Sequence, residues 1–146
     1  MIDRRLALAM LAGAIFPLPG DASTMRKRPI DPTPASYAQA MEVTDARRLL
    51  FVSGQVPADE ANNVPEHFAD QARLAWRNVF ARLAAADMTP DDLVKVTIFL
   101  SDRRHREENA AVRREMLGDR SPALTIIIAG IYSEAWLLEI EAIAAA

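Results

Sequence analysis

Pro122-Ala-Leu-Thr-Ile-Ile-Ile-Ala-Gly-Ile-Tyr-Ser-Glu-Ala-Trp-Leu-Leu-Glu-Ile-Glu-Ala-Ile-Ala144 is the stretch on which the reading of this chain turns. Two apolar, β-branched runs, Leu124 to Ala129 and Trp136 to Ile143, flank a turn region around Gly130 and Ser133. Apolar runs of this length bounded by turn residues suit strands covered on both faces. Glu139 and Glu141 are the exceptions. Residues two apart on a strand share a face, so both carboxylates point one way while Leu138, Ile140 and Ala142 point the other. A carboxylate in so apolar a strand needs a reason, because an unpaired buried charge is costly. Two readings stand: an edge strand with a solvated acidic face, or a general acid/base in an apolar cleft.

Upstream, Leu93-Val-Lys-Val-Thr-Ile-Phe-Leu100 is the clearest strand, β-branched and bounded by polar residues. Tyr37 to Val43 and Leu49 to Gln55 read as two further strands joined by a hairpin connection over Thr44 to Arg47. Ile30 to Pro34, punctuated by prolines, reads as extended or loop-like. From Phe68, apolar residues at 72, 75, 79, 83 and 86 recur at spacings of three and four and predict an amphipathic helix. Thr89-Pro-Asp-Asp92 suits one capped helical turn. A second helix is expected from Ser101-Asp102 to Leu117, packing on Ala110, Ala111, Val112 and Met116, with its arginines and His105 on a solvated face. Strand, strand, helix, strand, helix, strand, strand describes an α+β sandwich: a mixed β-sheet with two helices packed on one face. The sheet's other face then needs cover, which a homo-oligomer would provide.

The chain of 146 residues carries a net charge of −3 with its charges interspersed, so nothing in it suggests a basic nucleic-acid face. Its lack of cysteine excludes disulfides and thiolate chemistry. His67 and His105, with no paired spacing, make a histidine-built metal site improbable. Residues 1–24 differ from the rest. Arg4-Arg5, a short apolar run and Asp21-Ala22-Ser23 have the layout of a secretory signal, too short to span a membrane. The alternative is translation from Met25, which makes the leader upstream sequence. The first reading implies a periplasmic or secreted protein and the second a cytoplasmic one. In both, one domain occupies residues 25–146.

Tyr37-Ala-Gln-Ala, Leu50-Phe-Val-Ser-Gly-Gln55, Gln71 to Asn78, Leu93 to Leu100, Asn109, Pro122-Ala123 and Glu139-Ile-Glu-Ala-Ile-Ala144 together resemble the Rid family. These are the reactive intermediate deaminases, also called YjgF-like proteins. The likeness covers about Ile30 to Ala144, and the order and spacing of its pieces make it specific. It implies a chorismate-mutase-like fold and a homotrimer with small-molecule clefts between subunits. For active members it implies cofactor-free hydrolysis of imines or enamines to a carbonyl compound and ammonia. It places Tyr37, Ser53 and Asn109 among polar cleft residues, and Glu139 where a glutamate positions the attacking water.

One position departs from the pattern. Deaminating members carry an arginine directly after Pro-Ala to hold the substrate carboxylate; here stands Leu124, and two residues on Ile126 replaces a frequent cysteine. Leucine cannot supply a bidentate, charge-assisted clamp. The expectation is therefore a Rid-like hydrolase for a small neutral or apolar substrate rather than a 2-imino acid. The alternative is a non-catalytic trimer that binds a small metabolite. Trp136 is expected either to close over the same cleft or simply to pack against a neighbour.

Overall fold

The computed structural model describes residues 24–146. The expected leader, Thr24 apart, lies outside them. The elements are β1 (Arg26–Thr33), β2 (Tyr37–Thr44), β3 (Leu49–Gln55), α1 (Phe68–Ala85), β4 (Leu93–Leu100), α2 (Arg106–Leu117), β5 (Ala123–Ile128) and β6 (Leu138–Ala145). They form one six-stranded mixed sheet in the order β1-β2-β5-β4-β6-β3. No helix among the described residues is long and apolar enough to cross a membrane.

Register settles which side chains share a face. Ile98 lies beside Ile126 on one side and Ile140 on the other, and Val96 beside Leu124 and Ala142. This is the helix-covered face. α1 buries Phe68, Ala72, Ala75, Trp76, Val79 and Leu83, and the fully enclosed Trp76 sits in a core with Val96, Ile98, Leu100, Leu138 and Ile140. Phe99 lies beside Ile127 and Glu139, and Thr97 beside Thr125 and Glu141. These belong to the opposite, uncovered face. The shared side expected for Glu139 and Glu141 is therefore present.

Four local expectations change. β1 is a full strand despite Pro29 and Pro32, because it lies at the sheet edge, where a missing N–H costs no ladder bond. β2 and β3 do not form a hairpin; β2 pairs with β1 and meets β5 at Ala38 and Ala123, while β3 pairs with β6 across the sheet. β5 is not covered on both faces in the subunit, since Ile126, Ile127 and Ile128 are all exposed. The last strand starts at Leu138, leaving Trp136 in the preceding loop.

Helix α2 departs furthest from its expected pattern. Its buried face is Asn109, Val112, Arg113 and Leu117, whereas Ala111 is exposed. Two polar residues thus occupy the packing stripe, spaced four apart as a helical face requires. His105 is half-buried rather than on open surface, its ring stacked on Phe68 at 4.4 Å and 7°. The capped turn at Thr89 is present, with Thr89 accepting from the backbone N–H of Asp91 and donating its own to the Asp92 carboxylate at 2.7 Å.

Candidate functional site

Glu139 projects from β6 over a bulge in β3, between Val52 and Gln55. The bulge brings Gly54 directly beneath the carboxylate: a Cβ at residue 54 would lie 1.7 Å from Oε1 of Glu139. Glycine allows this close approach, and a side chain at residue 54 would have to push the flexible end of Glu139 aside. Beside this pair, a cleft on the uncovered face is lined by Phe51, Ser53, Lys95, Thr97, Glu141 and Ile143. Ser53 is exposed at its edge, and Lys95 donates to the hydroxyl of Thr125.

The segments around Glu139 are held by amides of α1. Gln71 donates to the carbonyls of Pro65 at 2.8 Å and Ala135 at 3.0 Å, and accepts from the N–H of Leu137 at 2.9 Å. It thereby fixes the entry into β6. Asn78 donates to the carbonyls of Val56 and Ala58 at 2.9 and 3.0 Å, fixing the chain that leaves β3. Amides that satisfy loop backbone in this way, Gln71 buried and Asn78 half-buried, confer rigidity. Both lie in the Gln71 to Asn78 segment, but nothing local in the sequence reveals which carbonyls they reach.

Tyr37, Leu124 and Ile126 lie elsewhere. They line a cleft of about 420 Å³ on the helix side of the sheet, together with Ala35, Arg106, Glu107, Ala110, Arg113 and Arg114. Strand alternation explains the separation: Leu124 and Ile126 share the face of Ile98, whereas Glu139 shares that of Phe99. Within one subunit the sequence-predicted residues therefore fall on opposite faces, with Ser53 and Glu139 on the uncovered face, where Glu139 itself lines neither cleft, and Tyr37 with Leu124 and Ile126 on the other. Asn109 joins neither as a lining residue. It is buried on α2, and neither its Oδ1 nor its Nδ2 has a hydrogen-bond partner among the described residues. Trp136 is half-buried in the β5–β6 loop, its ring 6.4 Å from that of Tyr132, and lines neither cleft.

Arg113, like His105, lies where the sequence did not suggest. It is buried, not solvated; its Nη2 donates to the carbonyl of Ala35 at 3.0 Å and its Nε has no partner among the described residues. Burial, aided by the neighbouring charge of Arg114, holds its pKa below the usual guanidinium value, with Tyr37 opposing. The described residues contain no group of three or more acidic or histidine side chains suited to a metal ion.

Residues 27–146 match the family model described as Endoribonuclease L-PSP. A fission yeast relative, the mitochondrial protein mmf2 of Schizosaccharomyces pombe, is 37% identical over 83% of this chain and 99% of its own length. Among solved structures, a Rid-family protein of unknown function from Yersinia pestis shares the fold, with a TM-score of 0.72 at 22% identity, covering 82% of this chain and 98% of that one. TdcF of Escherichia coli, solved with bound serine, gives a TM-score of 0.64 at 28% identity, covering 75% and 87%.

Proposed function

The chain belongs to the Rid (YjgF-like) family, and on that premise we propose that it is a cofactor-free hydrolase of small imines or enamines. An enamine first shifts its N–H proton to carbon to become the imine; water then adds to the C=N carbon, the C–N bond breaks, and the products are a carbonyl compound and ammonia. The observation that carries this reading is the Glu139 carboxylate seated over a glycine in the β3 bulge, held by a strand whose entry Gln71 fixes. A carboxylate so placed can accept a proton from an attacking water and return one to the leaving nitrogen.

Opposite faces of one sheet do not make one active site, so the reading requires a homotrimer in which one subunit's Tyr37, Leu124 and Ile126 meet another's Ser53 and Glu139. The exposed Phe51 and Ile127 on the uncovered face supply apolar surface for such an assembly. The flank of the substrate that lies on Leu124 and Ile126 is apolar, because neither residue can pair with a carboxylate. This differs from a 2-imino acid clamped at that position.

A second reading, a non-catalytic trimer that binds a small metabolite, draws on that same Leu124. Ammonia release from a panel of neutral and anionic imines, with wild type and Glu139→Gln, separates the two. Turnover of either kind of imine that is lost in the variant supports hydrolysis. Binding without turnover supports the second reading, and brisk turnover that survives Glu139→Gln refutes the role given to the acid.

A further inference from the structure

Although Leu124 brings no charge to its cleft, the facing wall is cationic. Helix α2 turns Arg106, Ala110, Arg113 and Arg114 toward it, opposed by one carboxylate, Glu107, which lies 3.7 Å from Arg106 at the exposed rim. Arg113 is the inner member. A buried guanidinium carries five N–H donors and a full charge, and its desolvation is offset only if those donors find acceptors. Here one donor reaches the Ala35 carbonyl and Nε reaches none among the described residues. The apolar Leu124 and Ile126 and the phenol of Tyr37 complete the lining.

We propose that Arg113 is the anchor of an anion subsite, so that the protein takes a small organic anion whose charged group sits on α2 and whose apolar flank lies on Leu124 and Ile126. The inference rests on the hydrolase reading for its placement in the substrate cleft, and it names the substrate class. The positive charge is displaced from β5 to the opposite wall. A carboxylate there would pair with the guanidinium through the Nη N–H groups that Ala35 leaves over and offset the repulsion between Arg113 and Arg114, while Tyr37 could donate to its second oxygen. The bond to Ala35 keeps the guanidinium from swinging away, since it ties α2 to the β1–β2 turn that also carries Ser36, whose hydroxyl donates to the Gly118 carbonyl at 3.0 Å.

Isovalerate and its neutral counterpart isovaleramide are suitable probes, with affinities measured by calorimetry on the intact protein. Isovalerate should bind wild type tighter by on the order of tenfold or more, as a charge-assisted pair implies. That preference should vanish in Arg113→Gln and survive in part in Arg113→Lys. Ala110→Glu sets a carboxylate one turn from Arg113 and leaves the Ala35 bond intact; it should abolish the preference too, and it decides the matter if Arg113→Gln fails to fold. Equal wild-type affinities, no measurable binding of isovalerate, or a preference that persists in Arg113→Gln or Ala110→Glu overturns the proposal. Turnover of imines without anion preference removes this inference and leaves the hydrolase standing; preference without turnover does the reverse.

Discussion

Glu139 occupies the space that a side chain at Gly54 would need, with Oε1 only 1.7 Å from where a Cβ would be built. The two residues are therefore coupled: the acid's position depends on the room left at the bulge.

Gly54→Ala should displace the Glu139 carboxylate and lower turnover by on the order of a hundredfold, through misplacement of a reacting group. Displacing that mobile side-chain end should also cost about 1 kcal/mol of stability, as for a side chain forced off its preferred rotamer. In a Glu139→Ala background the same substitution should cost far less, since the clash is gone. Denaturant unfolding of the four proteins of the cycle measures this coupling, and additive costs would show that the two residues do not compete for space.

Asn109 is buried with neither amide atom partnered among the described residues, an arrangement worth about 1–3 kcal/mol to relieve. Asn109→Leu should leave the subunit as stable as wild type or more so, while turnover drops. Melting temperature and ammonia release, taken together, test this. A strongly destabilised but fully active variant would mean that Asn109 serves the fold alone.

His105, stacked on Phe68, has its pKa lowered from the ordinary 6.5, by burial first and then by the adjacent Arg104. The unfolded chain thus takes up this proton more readily than the folded one. Stability from this group is fully present above pH about 6.5 and declines as pH falls from there toward the folded value. Melting temperatures between pH 7.5 and 5 should show this decline, and His105→Phe, which preserves the stack, should remove the part due to residue 105. An identical slope in the variant would discount the ring contact.

Phe51, 70% exposed, and Ile127, 45% exposed, lie on the uncovered face. Phe51→Asp should dissociate the assembly and abolish turnover together, because the two halves of the site would no longer meet. Light scattering coupled to size exclusion gives the mass. A wild-type monomer with full activity would refute the shared-site arrangement.

Much of the fold was legible because its signals are local. The period of three and four from Phe68, the β-branched run at Leu93 and the cap at Thr89 each commit a few residues to one geometry. β1 was not legible, since Pro29 and Pro32 forbid a central strand but permit an edge one, and only the assembled sheet reveals which it is. The strand pairing of β2 and β3 misled for the same reason: a short polar connection suits a hairpin, yet each found a longer-range partner.

For the site, the chain alone determined that Glu139 stands on the face opposite Ile140, that Leu124 cannot clamp an anion, and that the pieces belong in this family's order. These follow from alternation and side-chain chemistry, which need no neighbour. Only the tertiary structure decided that Glu139 and Leu124 lie on opposite sides of one sheet, that Gly54 clears room for the acid, and that Arg113 turns inward. Each of those depends on which strand lies beside which and on how α2 is rotated against the sheet, and such long-range packing leaves no mark on the local pattern.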